Sequence, residues 1–402
     1  MTEKKSKRES KSPKTKQSKS SPRSSLSAES DELIFAVCER FFNQLSPQAP
    51  GATERGKRQK GAASSVADWL AKERGRPDLN REKIYPLVWE ALRRNYLLLH
   101  PPVEKDMREA LIEKYGLREH LESCDGNVTI TNVVGSTASK HVNSTAADII
   151  IELIDKINRD KKNRAISRGE DPNEVRVHLG VGAGYAAMEV AKRLAARASA
   201  ELPKLTLHAI TPGGFYIAEQ QKDTSTYFSY FVDQSIDVEC VGFFATPVVM
   251  GTSLDSLKTN PSLRSCFERR DEIDVVLTSL ASSSDPHGLL KQYFAYLHNQ
   301  GFLEEDVLAT LESQGWVGDL LFQPYSSKQA IYPQTTRAVA LFDFNELVEF
   351  SRRPGKYVVL SGGPCGDCGA PKTEALRPLL TEPSLRAWTH LALDREAAKQ
   401  LC

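Results

Sequence analysis

The chain has 402 residues, 40% of them hydrophobic and 26% charged, and a formal net charge of +1. That length supports two or three domains with at least one substantial core. No run of about 18 apolar residues occurs, which excludes a membrane-spanning helix, and seven scattered cysteines exclude the dense disulfide framework of a small secreted domain.

The charge is unevenly spread. Residues 1–30 hold nine Lys or Arg (Lys4, Lys5, Lys7, Arg8, Lys11, Lys14, Lys16, Lys19 and Arg23) against three acids. Their composition buries too little apolar surface to offset the entropy of ordering, so a disordered basic tail is expected. Such a tail either keeps the chain soluble or is drawn to DNA phosphates without sequence preference. It lacks the apolar segment of a secretory signal, and a cytoplasmic protein is the expectation.

From residue 33 onward, Leu33, Ile34, Val37, Phe41, Phe42 and Leu45 recur at helical spacing. A loop over 46–62, basic through Arg55, Lys57, Arg58 and Lys60, leads to two further helical stretches at 65–73 and 81–95. Three short helices within 31–100 suggest a small all-α domain with a helix-turn-helix. In that motif the second helix enters the major groove and presents polar side chains to base edges. Residues 66–73 would support, 74–79 would turn, and the helix opening Asn80-Arg81-Glu82-Lys83-Ile84-Tyr85 would read. Arg76, Asn80, Arg81, Lys83 and Tyr85 are the candidate DNA contacts, with Asn80 a candidate cap. The turn is longer than the usual three or four residues, and Pro86 sits beyond the first helical turn, where it either starts the helix or kinks it. Residues 96–100 would form the strand of a wing. The alternative is a helical dimerisation module with a solvated basic face.

Residues 106–125 carry Met107, Leu111, Tyr115, Leu117 and Leu121 and predict another helix. Apolar runs then follow at 128–134, 175–181, 205–210, 238–244, 273–280, 338–342, 357–360 and 387–391. Helical patterns lie between them at 146–157, 186–196, 289–298, 304–313 and 345–352. Strand then helix, repeated this often, predicts an α/β domain over 101–402 with a mostly parallel, doubly wound sheet.

In such a sheet ligands sit at the carboxyl ends of strands, where glycine turns admit a ligand to the backbone. Gly182, Ala183, Gly184 and Tyr185 follow one apolar run; Gly213 and Gly214 follow the next; Trp316-Val317-Gly318-Asp319 and Ser361-Gly362-Gly363-Pro364 read as two more turns. Ala187 stands where a third fingerprint glycine would stand, and no acid follows at the distance a ribose needs, so a nicotinamide cofactor is not favoured. No cofactor is expected. Cys365-x-x-Cys368 could bind zinc or cycle as a dithiol, but a structural zinc site needs about four ligands. No second pair stands nearby; Cys240, His287 and Cys402 are possible distant partners with no evident placement, and no metal site is expected.

The run Asp274-Val275-Val276-Leu277-Thr278-Ser279-Leu280, then Gly315-Trp316-Val317-Gly318-Asp319, then Tyr357-Val358-Val359-Leu360-Ser361-Gly362-Gly363, with Lys372 and a closing Asp394-Arg395-Glu396-Ala397-Ala398, resembles the effector domain of SorC-family sugar-responsive regulators. The ordered set covers roughly residues 105–402. The resemblance implies a sugar isomerase/CoA-transferase-like fold, similar to ribose-5-phosphate isomerase and glucosamine-phosphate deaminase, recruited as a sensor. It places Gly182, Ala183, Gly184 and Tyr185 at the first effector loop, Gly213 and Gly214 at the second, Asp319 at an acidic sugar contact and Lys372 at a basic one. Tyr185 and Ala186 replace the family's hydroxyl residues, and Thr211-Pro212 replaces an Arg, which speaks against a phosphorylated sugar. The reading is a DNA-binding transcriptional regulator, a repressor in type, with operator DNA and a small carbohydrate-like effector as partners. It would be a homo-oligomer, dimer or tetramer, with no membrane partner. The alternatives are an isomerase or deaminase enzyme, since fold does not decide function, and a sensor acting through a protein partner.

Overall fold

The computed structural model describes residues 29–45, 61–93, 101–135, 137–213, 220–232, 237–250, 254–303, 305–333 and 335–402. The basic tail before residue 29, most of the basic loop, the anticipated wing at 96–100 and Gly214 lie outside the described residues. The chain divides into two compact units, Met1–Leu99 and His100–Cys402.

In the first unit, α1 (Asp31–Leu45), α2 (Ala62–Glu73) and α3 (Arg81–Arg93) each pack on the other two. Ile34, Val37, Val66, Trp69, Leu70, Ile84, Leu87 and Ala91 close a small core. The indole of Trp69 donates to Glu73 Oε2 at 2.7 Å, and the Arg40 guanidinium lies 4.8 Å over its ring. Helix α3 starts at Arg81 and runs through Pro86. The proline therefore neither starts nor ends the helix. It sits on the exposed side of α3, between the buried Ile84 and Leu87.

The second unit opens with α4 (Lys105–Lys114) and α5 (Arg118–Ser123), two helices where the spacing predicted one. Gly116 at φ +59° breaks the helix between them. Then come β1 (Asn127–Thr131), α6 (Ala138–Arg168), β2 (Val177–Val181), α7 (Tyr185–Glu201), β3 (Leu205–Ala209), α8 (Thr224–Val232), β4 (Val238–Val241) and β5 (Val248–Met250). Helices α9 (Leu254–Thr259) and α10 (Pro261–Glu268) precede β6 (Val275–Ser282), α11 (Leu289–Asn299), α12 (Val307–Ser313), β7 (Trp316–Leu320), β8 (Gln323–Ser326) and β9 (Thr336–Ala338). The chain continues through α13 (Phe344–Arg352), β10 (Tyr357–Ser361), α14 (Thr373–Thr381), β11 (His390–Asp394) and α15 (Arg395–Leu401).

Seven strands pair in parallel in the order β1-β11-β10-β6-β2-β3-β4. Both faces are covered. Val275, Leu277, Tyr357 and Val359 point to a core with α6, α7 and α8. Their neighbours Val276, Val358 and Leu360 point to a second core with α4, α5, α13, α14 and α15. Period-two alternation between two apolar layers explains why these strands read as unbroken hydrophobic runs.

Three expectations need correction. The glycine turn anticipated at 316–319 is the antiparallel strand β7, paired with the end of β6 and with β8. The run at 338–342 forms a strand only at its start: β9 pairs with β5, and Val339 to Phe342 are buried loop. The run at 387–391 starts early, because Ala387 and Trp388 fill the core ahead of β11. Apolar sequence marked burial in both places, and a strand only in part.

Candidate functional site

Strand order reverses between β2 and β6: β3 and β4 extend on one side, β10 and β11 on the other. A crevice opens at the carboxyl ends of strands at such a point, and ligands bind there in doubly wound sheets. The loops after β2, β6 and β10 meet at this edge. They enclose a narrow cavity of about 70 Å³, well under the ~300 Å³ at which small-molecule pockets usually begin.

Ala183, Gly184, Tyr185, Asp319 and Lys372 all line this cavity. Gly182 lies just behind it: a Cβ there would meet Leu321 Cδ2 at 2.6 Å, so its smallness lets Leu321 close onto the strand end. Gly213 stands apart against the carboxylate of Asp223 and does not line the cavity. Gly184 starts α7 at φ +129°, a conformation open to glycine.

Beyond its parallel ladder β6 runs on by three residues, and β7 pairs with that extension. This register sets Asp319 opposite Ala281 and brings its carboxylate over the crevice. Asp319 is 4% exposed and, among the described residues, its Oδ2 has no hydrogen-bond partner. Burial pushes its carboxyl up to about 7, against the pull of Lys372 and with added repulsion from Asp285. Lys372 precedes α14 and donates to the carbonyl of Leu280 at 2.8 Å; burial lowers its ammonium, opposed by the negative groups around it.

Sequence reasoning missed a second unpartnered group. Ser361 at the end of β10 donates to Asn143 Oδ1 at 2.7 Å, leaving the buried Asn143 Nδ2 without a partner among the described residues. Asn143 and Ser139 lie one turn apart at the start of α6 and both line the cavity. Their signal was a polar pair at i, i+4 ahead of an apolar stripe, inside a helix that proves much longer than its predicted 146–157 core. An acceptor, Asp319 Oδ2, and a donor, Asn143 Nδ2, thus share one cavity with no partner among the described residues. Buried polar atoms of this kind cost about 1–3 kcal/mol each unless something satisfies them.

Two of the loop amides that could cradle a phosphate are already engaged. Ala183 N donates to Thr211 Oγ1 at 3.0 Å, and Gly184 N lies 2.9 Å from Tyr227 Oη and 3.0 Å from the Lys222 carbonyl. Tyr185 lines the same cavity. Its ring rests on Gly366, where a Cβ would come within 2.2 Å, and Lys222 sits 6.0 Å over the ring while pairing with Asp367 at 3.1 Å. The roof is the β7–β8 hairpin turn, in which Leu321 (φ +52°) and Phe322 (φ +62°) occupy the left-handed region. Bulky side chains pay about 1–3 kcal/mol each for that backbone. Both side chains are buried at the cavity, which holds them there.

In the helical unit, Asn80, Arg81, Lys83 and Tyr85 are exposed along the opening of α3. Arg76 is not available in the same way: it pairs with Glu29 at 2.7 Å and with Asp78 at 2.9 Å, tying the turn to the start of α1. Trp89, one turn beyond Tyr85, is 70% exposed and was not anticipated as a surface residue.

No protein-family model matches the chain, and no curated protein matches it. Among solved structures, the full-length sorbitol operon regulator SorC from Klebsiella pneumoniae matches at a TM-score of 0.54 and 13% identity, over 93% of this chain and 99% of that one. A putative sugar-binding domain of a transcriptional repressor from Vibrio fischeri matches at 0.50 and 11% identity, over 74% of this chain and 98% of that one. The chain shares the fold of these two structures, helical unit included in the first case.

Proposed function

We propose that this protein is a ligand-responsive DNA-binding regulator, whose α/β unit takes up a small unphosphorylated sugar or polyol at the crevice between β2 and β6. The observation that carries this reading is the pair of unpartnered buried groups, Asp319 Oδ2 and Asn143 Nδ2, facing one cavity. Hydroxyl groups both donate and accept, so one polyol satisfies both atoms. The engaged amides of Ala183 and Gly184 favour an uncharged ligand over a phosphate. Regulators with this fold support the DNA-binding half, as does the polar, aromatic outer face of α3, with Arg81, Lys83, Tyr85 and Trp89. They also favour a regulator over an isomerase or deaminase. Two copies would place two α3 helices on adjacent half-sites, and the ligand would shift the balance between spacings that fit DNA and spacings that do not.

The test is selection of bound sequences from a random duplex pool by the full-length chain, followed by salt titration of the winners. Specific binding persists at moderate salt and weakens for Arg81→Ala and Lys83→Ala. Enrichment of no sequence, with binding that collapses steeply in salt, would reduce the DNA contact to unspecific phosphate attraction.

A further inference from the structure

The loop after β6 and the loop after β10 carry, between them, an acid, an imidazole and two thiols: Asp285 and His287 on the first, Cys365 and Cys368 on the second. These strands are direct neighbours in parallel register, so both loops emerge at the same edge. One ligand atom from each residue lies within 4.8 Å of the others. In a tetrahedral zinc site the ligand atoms stand about 3.3–3.8 Å apart, as follows from Zn–S ≈ 2.3 Å and Zn–N ≈ 2.0–2.1 Å. Closing the set therefore takes movements of about an ångström.

We propose that Cys365, Cys368, His287 and Asp285 form a zinc site that clips the β6 and β10 loops together at the wall of the ligand crevice. The local backbone suits the role. Cys365 N donates to the Ala370 carbonyl and Gly369 N to the Cys365 carbonyl, both at 2.9 Å, with Gly369 at φ +73°, so the two thiols are held on one tight turn. Asp285 Oδ1 accepts from His287 N at 2.9 Å, which fixes the Asp-x-His turn against the same space. Asp285 and Cys365 are buried, while His287 and Cys368 are partly or fully open to solvent, giving the ion a way in. Soft thiolates with one imidazole and one carboxylate select zinc over magnesium or calcium.

Charge is largely offset as well. On binding, both thiols lose their protons to solvent, and two thiolates plus one carboxylate bring three negative charges to a dication. The buried Lys372 lies in the field of Cys365, Cys368, Asp285 and Asp319 and offsets part of the remaining negative charge. The site thereby joins the crevice residue Lys372 to the loop whose Gly366 and Asp367 hold Tyr185 and Lys222. Zinc would set the width of the crevice.

The experiment uses the full-length chain, prepared without a polyhistidine tag and under reducing conditions, and reads metal content with no sugar present, so it is independent of the proposed ligand. After zinc loading and dialysis, about one zinc per chain is retained, and cobalt substitution gives the intense visible bands and sulfur-to-metal charge transfer of a tetrahedral thiolate site. Cys368→Ser and His287→Ala each lose roughly 100-fold or more in zinc affinity, beyond the 10–100-fold that outer contacts cost, while Cys240→Ser on β4 is unchanged. The cobalt spectrum of the unaltered chain needs no variant, so misfolding of a variant does not protect the proposal. Absence of retained zinc and of the charge-transfer band overturns it; so does zinc held by both variants as tightly as by the parent, or a Cys365–Cys368 disulfide that resists reductant in the metal-free chain.

Discussion

Replacing Asp319 by Asn should make the α/β unit more stable, and increasingly so as pH rises. The carboxyl ionises near 3.8 in an unfolded chain but near 7 in the fold, where burial outweighs the attraction of Lys372. A raised acid means that the folded state holds a proton that the unfolded state has released between pH 3.8 and 7. Stability therefore falls with rising pH across that window and is level above it. At ~1.4 kcal/mol per pH unit the ionised carboxylate costs up to about 4 kcal/mol above pH 7. Asn, a neutral isostere, escapes that cost, so the variant should gain up to this amount at pH 8 and almost nothing near pH 4. Urea denaturation at pH 4, 6 and 8, with a chelator present and hydrogen exchange read on β10 and β11 peptides, reports this unit apart from α1–α3. An Asn variant no more stable than the parent at pH 8, or a difference independent of pH, would refute the assignment of Asp319 as a buried carboxylate kept for binding.

Other consequences follow from the same geometry. His178 and His208 lie 3.0 Å apart through Nδ1 and Nε2, and burial lowers them to about 4 and about 3. The unfolded chain takes up protons below about pH 6.5 that the fold refuses, so stability should drop by up to ~3 kcal/mol for His178 alone by pH 4; an acid titration of His208→Asn should show a shallower loss. Tyr185→Ser should open the crevice and raise affinity for the sugar that binds, read by calorimetry; weaker binding would mean that the ring stacks on the ligand instead of excluding it. Gly318→Ala puts a Cβ 2.7 Å from both the Ala281 carbonyl and Ala375 Cβ, which should cost about 1–3 kcal/mol in urea melts. Arg76→Ala should cost under about 1 kcal/mol, since its ion pairs are partly exposed, whereas Arg81→Ala should weaken specific DNA binding by about 1–3 kcal/mol.

The parallel sheet was legible because its inner strands are buried on both faces, and β2, β6 and β10 stand out as apolar runs ending in small residues. The crevice was legible to the same degree: Gly184, Tyr185, Asp319 and Lys372 meet there. Gly318 misled the reading of 316–319, because a glycine required by close packing inside a strand carries the same letter as a glycine in a turn. Asn143 was hidden because the predicted helix began only at residue 146, so its i, i+4 pairing with Ser139 fell outside the stretch read as helical. Asp285 and His287 stand about 80 residues before the cysteine pair, and nothing local links them; they meet only because the strand order sets β6 beside β10. Pairings of that kind belong to topology.

Calorimetric titration of the full-length chain with a panel of sugars, polyols and their phosphates, beside Asp319→Ala, tests the central claim most directly. At least one unphosphorylated sugar or polyol should bind the parent chain, with its phosphate binding more weakly and the variant losing the heat. A panel that gives no heat, or heat that Asp319→Ala leaves unchanged, would contradict a ligand-sensing crevice between β2 and β6.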